Sequence, residues 1–88
     1  MVTQAPEPPP YADLIEYIAR ALAEKQDEVA VSEEWDEDHC TVRLRVSEDD
    51  MGRVIGRAGR VAQAMRTLLR VAAIRSGDRA TLEIVESD

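Results

Sequence analysis

The chain has 88 residues, 44% of them apolar and none of them Phe, so one small domain is expected, with a core of Val, Leu, Ile, Ala and Met. A formal net charge of -7 argues against a protein that coats DNA or an anionic membrane by general attraction. Cys40 stands alone, which excludes an internal disulfide, and neither a basic leader nor an apolar run of about 20 residues is present, so a cytoplasmic protein is expected.

Met1 to Pro10 carries Pro6, Pro8, Pro9 and Pro10 and reads as a disordered tail. From Tyr11 the apolar residues Tyr11, Leu14, Ile15, Ile18 and Leu22 recur at helical spacing opposite Asp13, Glu16, Arg20 and Glu24, predicting an amphipathic helix over roughly residues 11 to 25. Val29, Val31 and Trp35 then begin a strand. Asp36-Glu37-Asp38-His39 interrupts it as a turn, with His39 exposed there. Cys40, Val42, Leu44 and Val46 alternate with Thr41, Arg43 and Arg45, which completes a hairpin with one apolar face and puts Cys40 in the core. Ser47 followed by Glu48, Asp49 and Asp50 signals a helix start, and a short helix is predicted to run to about Val54 or Ile55. A longer helix follows, with Val61, Ala64, Met65, Leu68, Leu69 and Ala72 as its expected buried stripe and Gly77 as its cap. Ala80, Leu82 and Ile84 alternate with Thr81 and Glu83 in a closing strand, so the order is helix, strand, strand, helix, helix, strand. A second and third strand joined through helices run parallel if they are neighbours, which makes the sheet mixed.

The two helices meet at Val54-Ile55-Gly56-Arg57-Ala58-Gly59-Arg60-Val61. Glycine at 56 and 59 permits positive φ and close approach of the backbone to a ligand. The helix that opens at Gly59 aims its free N–H groups and the positive end of its dipole at the same spot, and Arg57 can reach a phosphate oxygen. A Gly-x-x-Gly by itself is no more than a common turn before a helix. The charge distribution adds to it. Met51 to Ser76 holds six arginines and no acid, or +6, and the rest of the chain holds 5 basic and 18 acidic residues, or -13, which together recover -7. The loop therefore lies inside a basic island, while the acids elsewhere repel a polyanion from the wrong face.

These residues resemble the signature of the KH RNA-binding domain, a Gly-x-x-Gly loop joining two helices behind an apolar pair. The element order is similar to the type II arrangement, giving an α+β fold, α-β-β-α-α-β, with a three-stranded mixed sheet packed against three helices over residues 11 to 86. The stretch Met51 to Gly56 and its continuation Arg60 to Leu69 resemble most the small single-domain bacterial family called KhpA. One departure from the broad KH pattern is Ala62, where many KH domains carry a branched aliphatic residue; within the KhpA group a small residue is ordinary. The resemblance implies that Gly56, Arg57, Ala58 and Gly59 hold the sugar-phosphate backbone of about four nucleotides of single strand, with Arg53, Arg60 and Ile55 beside them and the bases in a groove between helices and sheet. It also implies a protein partner, either a second, larger KH-containing protein or a second copy of the chain, and a role as an RNA chaperone or post-transcriptional regulator.

Two other classes compete. A protein-interaction module would set the basic helix against an acidic protein, and Arg66 and Arg70, two or three turns beyond Gly59, are expected to serve a protein partner in preference to RNA. An acid at position 57 or 58 would have favoured that class, and Arg57 and Ala58 do not. A nucleotide-using enzyme would need a Lys-Ser or Lys-Thr after the glycines, an Asp placed for Mg²⁺ and a nucleophile with its base. None is apparent, so no catalytic residue, cofactor, metal or small-molecule substrate is expected, and His39 without a ligand partner does not change that.

Overall fold

The computed structural model describes residues 11–87, so the expected Pro-rich tail lies outside the described residues. Helix α1 spans Tyr11–Leu22, strand β1 Ala30–Asp36, strand β2 His39–Val46, helix α2 Met51–Ile55, helix α3 Arg60–Arg75 and strand β3 Arg79–Glu86, with single 3-10 turns at Gln26–Glu28, Glu48–Asp50 and Arg57–Gly59. The sheet order is β1-β2-β3: β1 pairs antiparallel with β2, and β2 pairs parallel with β3, from His39 opposite Arg79 to Val46 opposite Glu86. This is the mixed sheet and the element order expected from the alternation.

Period-2 patterning in β2 does what it predicts. Cys40, Val42, Leu44 and Val46 are fully buried, and with Tyr11, Ile15 and Ala19 of α1, Val54 of α2 and Met65, Leu69 and Ala73 of α3 they form one core on a single face of the sheet. On the opposite face Arg43 bonds Glu83 across β2 and β3 at 2.9 Å. Burial pushes the Cys40 thiol up to about 12, helped by the Glu33 carboxylate beside it, so Cys40 behaves as a small apolar core residue.

Three expectations are corrected. First, α1 ends at Leu22 and not near residue 25, because the next backbone donors find a different acceptor: the N–H groups of Glu24 and Lys25 donate to the two oxygens of Asp50, each at 3.0 Å. Second, the hairpin turn is confined to Glu37 and Asp38. Asp36 already pairs with His39, which opens β2, is half-buried and lies 2.8 Å from the Thr81 hydroxyl through Nε2. Third, the buried stripe of α3 is Ala62, Met65, Leu69 and Ala73, turned by about one residue from the expected set. Leu68 is 51% exposed and Ala64 is exposed as well. At the far end of α3, Gly77 with φ 78° closes the helix as a left-handed cap, and Asp78 N–H returns to Ala73 O at 2.8 Å. No helix among the described residues is long and apolar enough to cross a membrane.

Candidate functional site

The connection from α2 to α3 takes three residues of positive φ in four. Gly56 has φ 79°, Ala58 φ 56° and Gly59 φ 75°. At Gly56 both reasons for glycine apply, since a Cβ there would stand 2.4 Å from Val61 Cγ2 and 2.9 Å from Val61 N. Close packing of the loop backbone against the first turn of α3 therefore requires that residue. Around Gly59 nothing lies within 4 Å of where a Cβ would be, so only its backbone angle asks for glycine. Ala58 adopts a similar angle with a side chain, a strained conformation held at the tip of the loop. Arg57 and Ala58 are exposed, and no side chain caps the N-terminus of α3, where the Gly59 N–H donates to the Gly56 carbonyl oxygen at 3.1 Å and the Arg60 N–H to that of Arg57.

Beside the loop runs an open groove of about 460 Å³, lined by Ile55, Ala58, Gly59, Arg60, Ala62, Gln63, Arg66 and Ile84. Its floor is aliphatic, its rim carries two guanidinium groups and one amide, and no carboxylate lines it. Of the residues singled out in the sequence, Ile55, Ala58, Gly59 and Arg60 line this groove, while Gly56 and Arg57 stand beside them in the loop and do not line it. Ala62 forms part of the buried floor, where its small side chain leaves the groove room. Gln63, Arg66 and Ile84 are the residues that sequence reasoning does not assign to the site. Gln63 and Arg66 follow Gly59 and Arg60 at helical spacing, a signal available in the chain; Ile84 comes from β3, far along the chain, and only the parallel pairing of β3 delivers it.

Arg53 stands elsewhere. Its guanidinium bonds Asp50 Oδ1 at 3.2 Å, the Asp49 carbonyl oxygen at 3.2 Å and the Glu24 carboxylate, and does not line the groove. The Asp50 carboxyl, fully buried, is held below the usual carboxylate range by the N–H groups of Glu24 and Lys25 first and by Arg53 next, against the opposing effect of burial. Hydrogen bonds from both backbone donors and from the guanidinium converge on this one carboxylate. They tie the end of α1 to the start of α2, and so fix the helix that leads into the loop. Among the described residues the other five arginines of the island, Arg57, Arg60, Arg66, Arg70 and Arg75, have no carboxylate within ion-pair distance. Positive charge is left free along α3 and its loop while Arg20, Arg43 and Arg79 are each paired with an acid.

The sequence profile of the KhpA/KhpB KH domain matches residues 12–84. The chain belongs to that family. Curated relatives include the RNA-binding protein KhpA of Clostridium perfringens, 41% identical over 73 residues that cover 83% of this chain and 97% of the relative, and that of Treponema pallidum, 46% identical over 74 residues, 84% and 92% of the two chains. KH domains of this family are binding modules and not enzymes. In fold the chain is similar to part of Era, in the crystal structure of a point variant of Aquifex aeolicus Era bound to GDP.AlF4- (TM-score 0.58, 17% identity, 86% of this chain and 30% of that one). A second likeness is to Era in complex with MgGDPNP and nucleotides 1506-1542 of 16S ribosomal RNA, with TM-score 0.57, 16% identity and coverage of 86% and 29%.

Proposed function

We propose that the chain binds single-stranded RNA, holding the sugar-phosphate backbone at Gly56-Arg57-Ala58-Gly59 and the bases in the adjoining groove, and that it acts as an RNA chaperone or post-transcriptional regulator together with a protein partner. The observation that carries this reading is the coincidence of three things at one place: a loop whose backbone can be approached closely, a helix N-terminus that no side chain caps, and a groove with an aliphatic floor and arginines that no carboxylate pairs. Each suits one part of a nucleotide. Loop N–H groups and Arg57 meet phosphate, Arg60 adds sequence-independent attraction, and Ile55, Ala62 and Ile84 offer apolar contact to bases. No aromatic residue lines the groove, so discrimination between bases rests on hydrogen bonds and shape in place of stacking. Arg53 contributes by holding α2 and not by touching phosphate. That the curated relatives are named RNA-binding proteins supports the same reading.

Changing Arg57 and Ala58 together to Asp tests it. Both side chains are exposed, and Asp tolerates the left-handed angle at 58 better than most residues do, so the fold should survive. Affinity for a short single-stranded RNA should fall by about tenfold or more, the effect of setting two negative charges beside a phosphate path. Undiminished binding by a variant with an unaltered melting temperature would remove the loop from the site.

For the partner, the outer side of α3 is the surface proposed. Leu68, Val71 and Ile74 are 51%, 51% and 67% exposed and recur three residues apart, next to the exposed Ala64, on the side of the helix away from the core. A second copy or another KH-containing protein would cover that stripe. Leu68→Asp should abolish association in sedimentation experiments while leaving the monomer folded; association that persists would place the interface elsewhere.

A further inference from the structure

The sheet has two edges, and only β3 borders the groove. The other edge is β1, which among the described residues pairs with β2 alone. All seven residues of β1 pair without a break, from Ala30 opposite Arg45 to Asp36 opposite His39, and the strand holds no proline, no lysine and no bulge. Natural sheets commonly close their edges to other chains with such devices. Here the device is acid. Residues 26–38 contain seven acids and no lysine or arginine, the counterpart of the basic island in the same chain. Arg79 meets Asp38 at 3.7 Å, and the Glu33 carboxylate accepts from the Ala12 N–H at 3.4 Å and the Trp35 indole N–H at 3.1 Å. Among the described residues, Glu34, Asp36 and Glu37 have no cation within ion-pair distance. The register gives the two sides of this edge different characters. Ala30, Ser32, Glu34 and Asp36 stand opposite Arg45, Arg43, Thr41 and His39, on the sheet face that carries the Arg43–Glu83 pair. Val31 and Trp35 stand opposite the buried Leu44 and Cys40, on the face that the helices cover. Trp35 is nonetheless 39% exposed, with its ring 5.9 Å from that of Tyr11. A strand laid along β1 would meet apolar side chains on one face and uncompensated carboxylates on the other.

We propose that the β1 edge takes up an extended peptide of a partner protein in which Lys or Arg alternates with apolar residues. The peptide's main chain extends the sheet by one strand, its basic side chains lie beside Glu34 and Asp36, and its apolar ones beside Val31 and Trp35. A second copy of this chain is turned away. Its own β1 would set acid against acid, and its basic island is built of helices and a loop, which cannot add a strand. RNA is repelled by the same carboxylates. β2 lies between this edge and the strand that borders the groove, so the proposal stands on residues other than those of the RNA reading, and its failure would leave that reading intact.

The probe is a capped synthetic peptide of seven residues, the length of β1, in which Lys alternates with Val and Thr. It is titrated into the full chain, with backbone amide NMR signals and the fluorescence of Trp35, the only tryptophan, as readouts. Saturable binding is expected, with amide shifts concentrated at Ala30 to Asp36. Two versions of the peptide N-methylated at alternate residues keep its charge and lose the donors of one edge each. One of them should bind at least about tenfold more weakly, while the other binds as the unmodified peptide does. Glu34→Lys/Asp36→Lys, at two exposed positions, should abolish uptake of the Lys peptide and admit a peptide with Glu in place of Lys. The N-methylated peptides are read on the unaltered chain, so the outcome does not depend on how that double variant folds. Signals that stay unmoved in the parent would overturn the proposal. So would equal binding of all three Lys peptides, which would reduce the contact to loose charge attraction, or shifts at α3 or the outer sheet face in place of β1. Concentration-dependent shifts at Ala30 to Asp36 in the chain alone would overturn it as well, by giving the edge to a second copy.

Discussion

A methyl group added at Gly56 has nowhere to go, whereas one added at Gly59 meets open space, and this contrast separates two residues that look equivalent in the motif. Both sit at positive φ, so alanine at either position carries the left-handed penalty of about 1–2 kcal/mol. At Gly56 the new Cβ would also overlap Val61, backbone nitrogen included, and the first turn of α3 would have to shift. Gly59→Ala should therefore cost about 1–2 kcal/mol in chemical denaturation, and Gly56→Ala about 2–4 kcal/mol once overpacking is added. RNA affinity should follow the same order, since only the change at Gly56 moves the loop. Equal costs would mean that the loop backbone does not pack against Val61 as described. Arg53 makes the complementary point. Counting charges along the chain places it in the basic island, yet its partners are Asp50, three residues back, and Glu24, twenty-nine residues back, and the second of these is invisible to any local reading.

Among the elements, α2 is the least able to stand alone. Five residues make little more than one turn, and its position depends on the Asp50 carboxylate that precedes it and reaches across to Glu24 and Lys25. The folded-state pKa of Asp50 lies below its unfolded value of about 3.9. Its contribution to stability is thus complete above that value and is lost as pH falls through the folded one. The melting temperature of the parent should hold from neutral pH to about pH 5 and drop below about pH 4; Asp50→Asn should melt lower at neutral pH and show a shallower acid limb. If the variant matched the parent at both ends, the carboxylate would not be what joins α1 to α2.

The same scale shows where pattern reading succeeds and where it slips. In β2 the alternation of Cys40, Val42, Leu44 and Val46 is unambiguous because polar residues separate every apolar one. In α3, Ala, Val, Leu and Ile occupy nearly every side of the helix between the arginines, so periodicity alone does not tell a face that meets the sheet from one that meets nothing. Apolar spacing assigns Leu68 to the core and passes over Ala62 and Ala73, although the helix turns the opposite way. The end of α1 escapes the pattern for a different reason: Glu24 and Lys25 continue a good helical composition, and only a carboxylate from another part of the chain draws their N–H groups away.

Taken whole, the molecule is acidic and its groove is not. The loop glycines, the island of arginines and the helix that starts at Gly59 are legible in the chain, because each is local. The wall opposite them is not, since Ile84 reaches the groove only through the parallel pairing of β3 with β2. The same asymmetry sets the expected salt response. Free arginines near the loop number few, so a short RNA should show a shallow dependence, about -1.5 to -2 in log affinity against log salt for two or three phosphates at about -0.7 each. The central claim, that the α2–α3 loop and the α3–β3 groove together hold a single strand, is tested most directly by following backbone amide signals in NMR spectra as a short single-stranded RNA is added. The account predicts shifts concentrated at Gly56 to Gln63 and at Leu82 and Ile84, with Glu16 and Tyr17 of α1 and Arg43 and Glu83 on the outer sheet face unmoved. Shifts spread over α1 or the outer sheet face, with the loop amides unchanged, would contradict it.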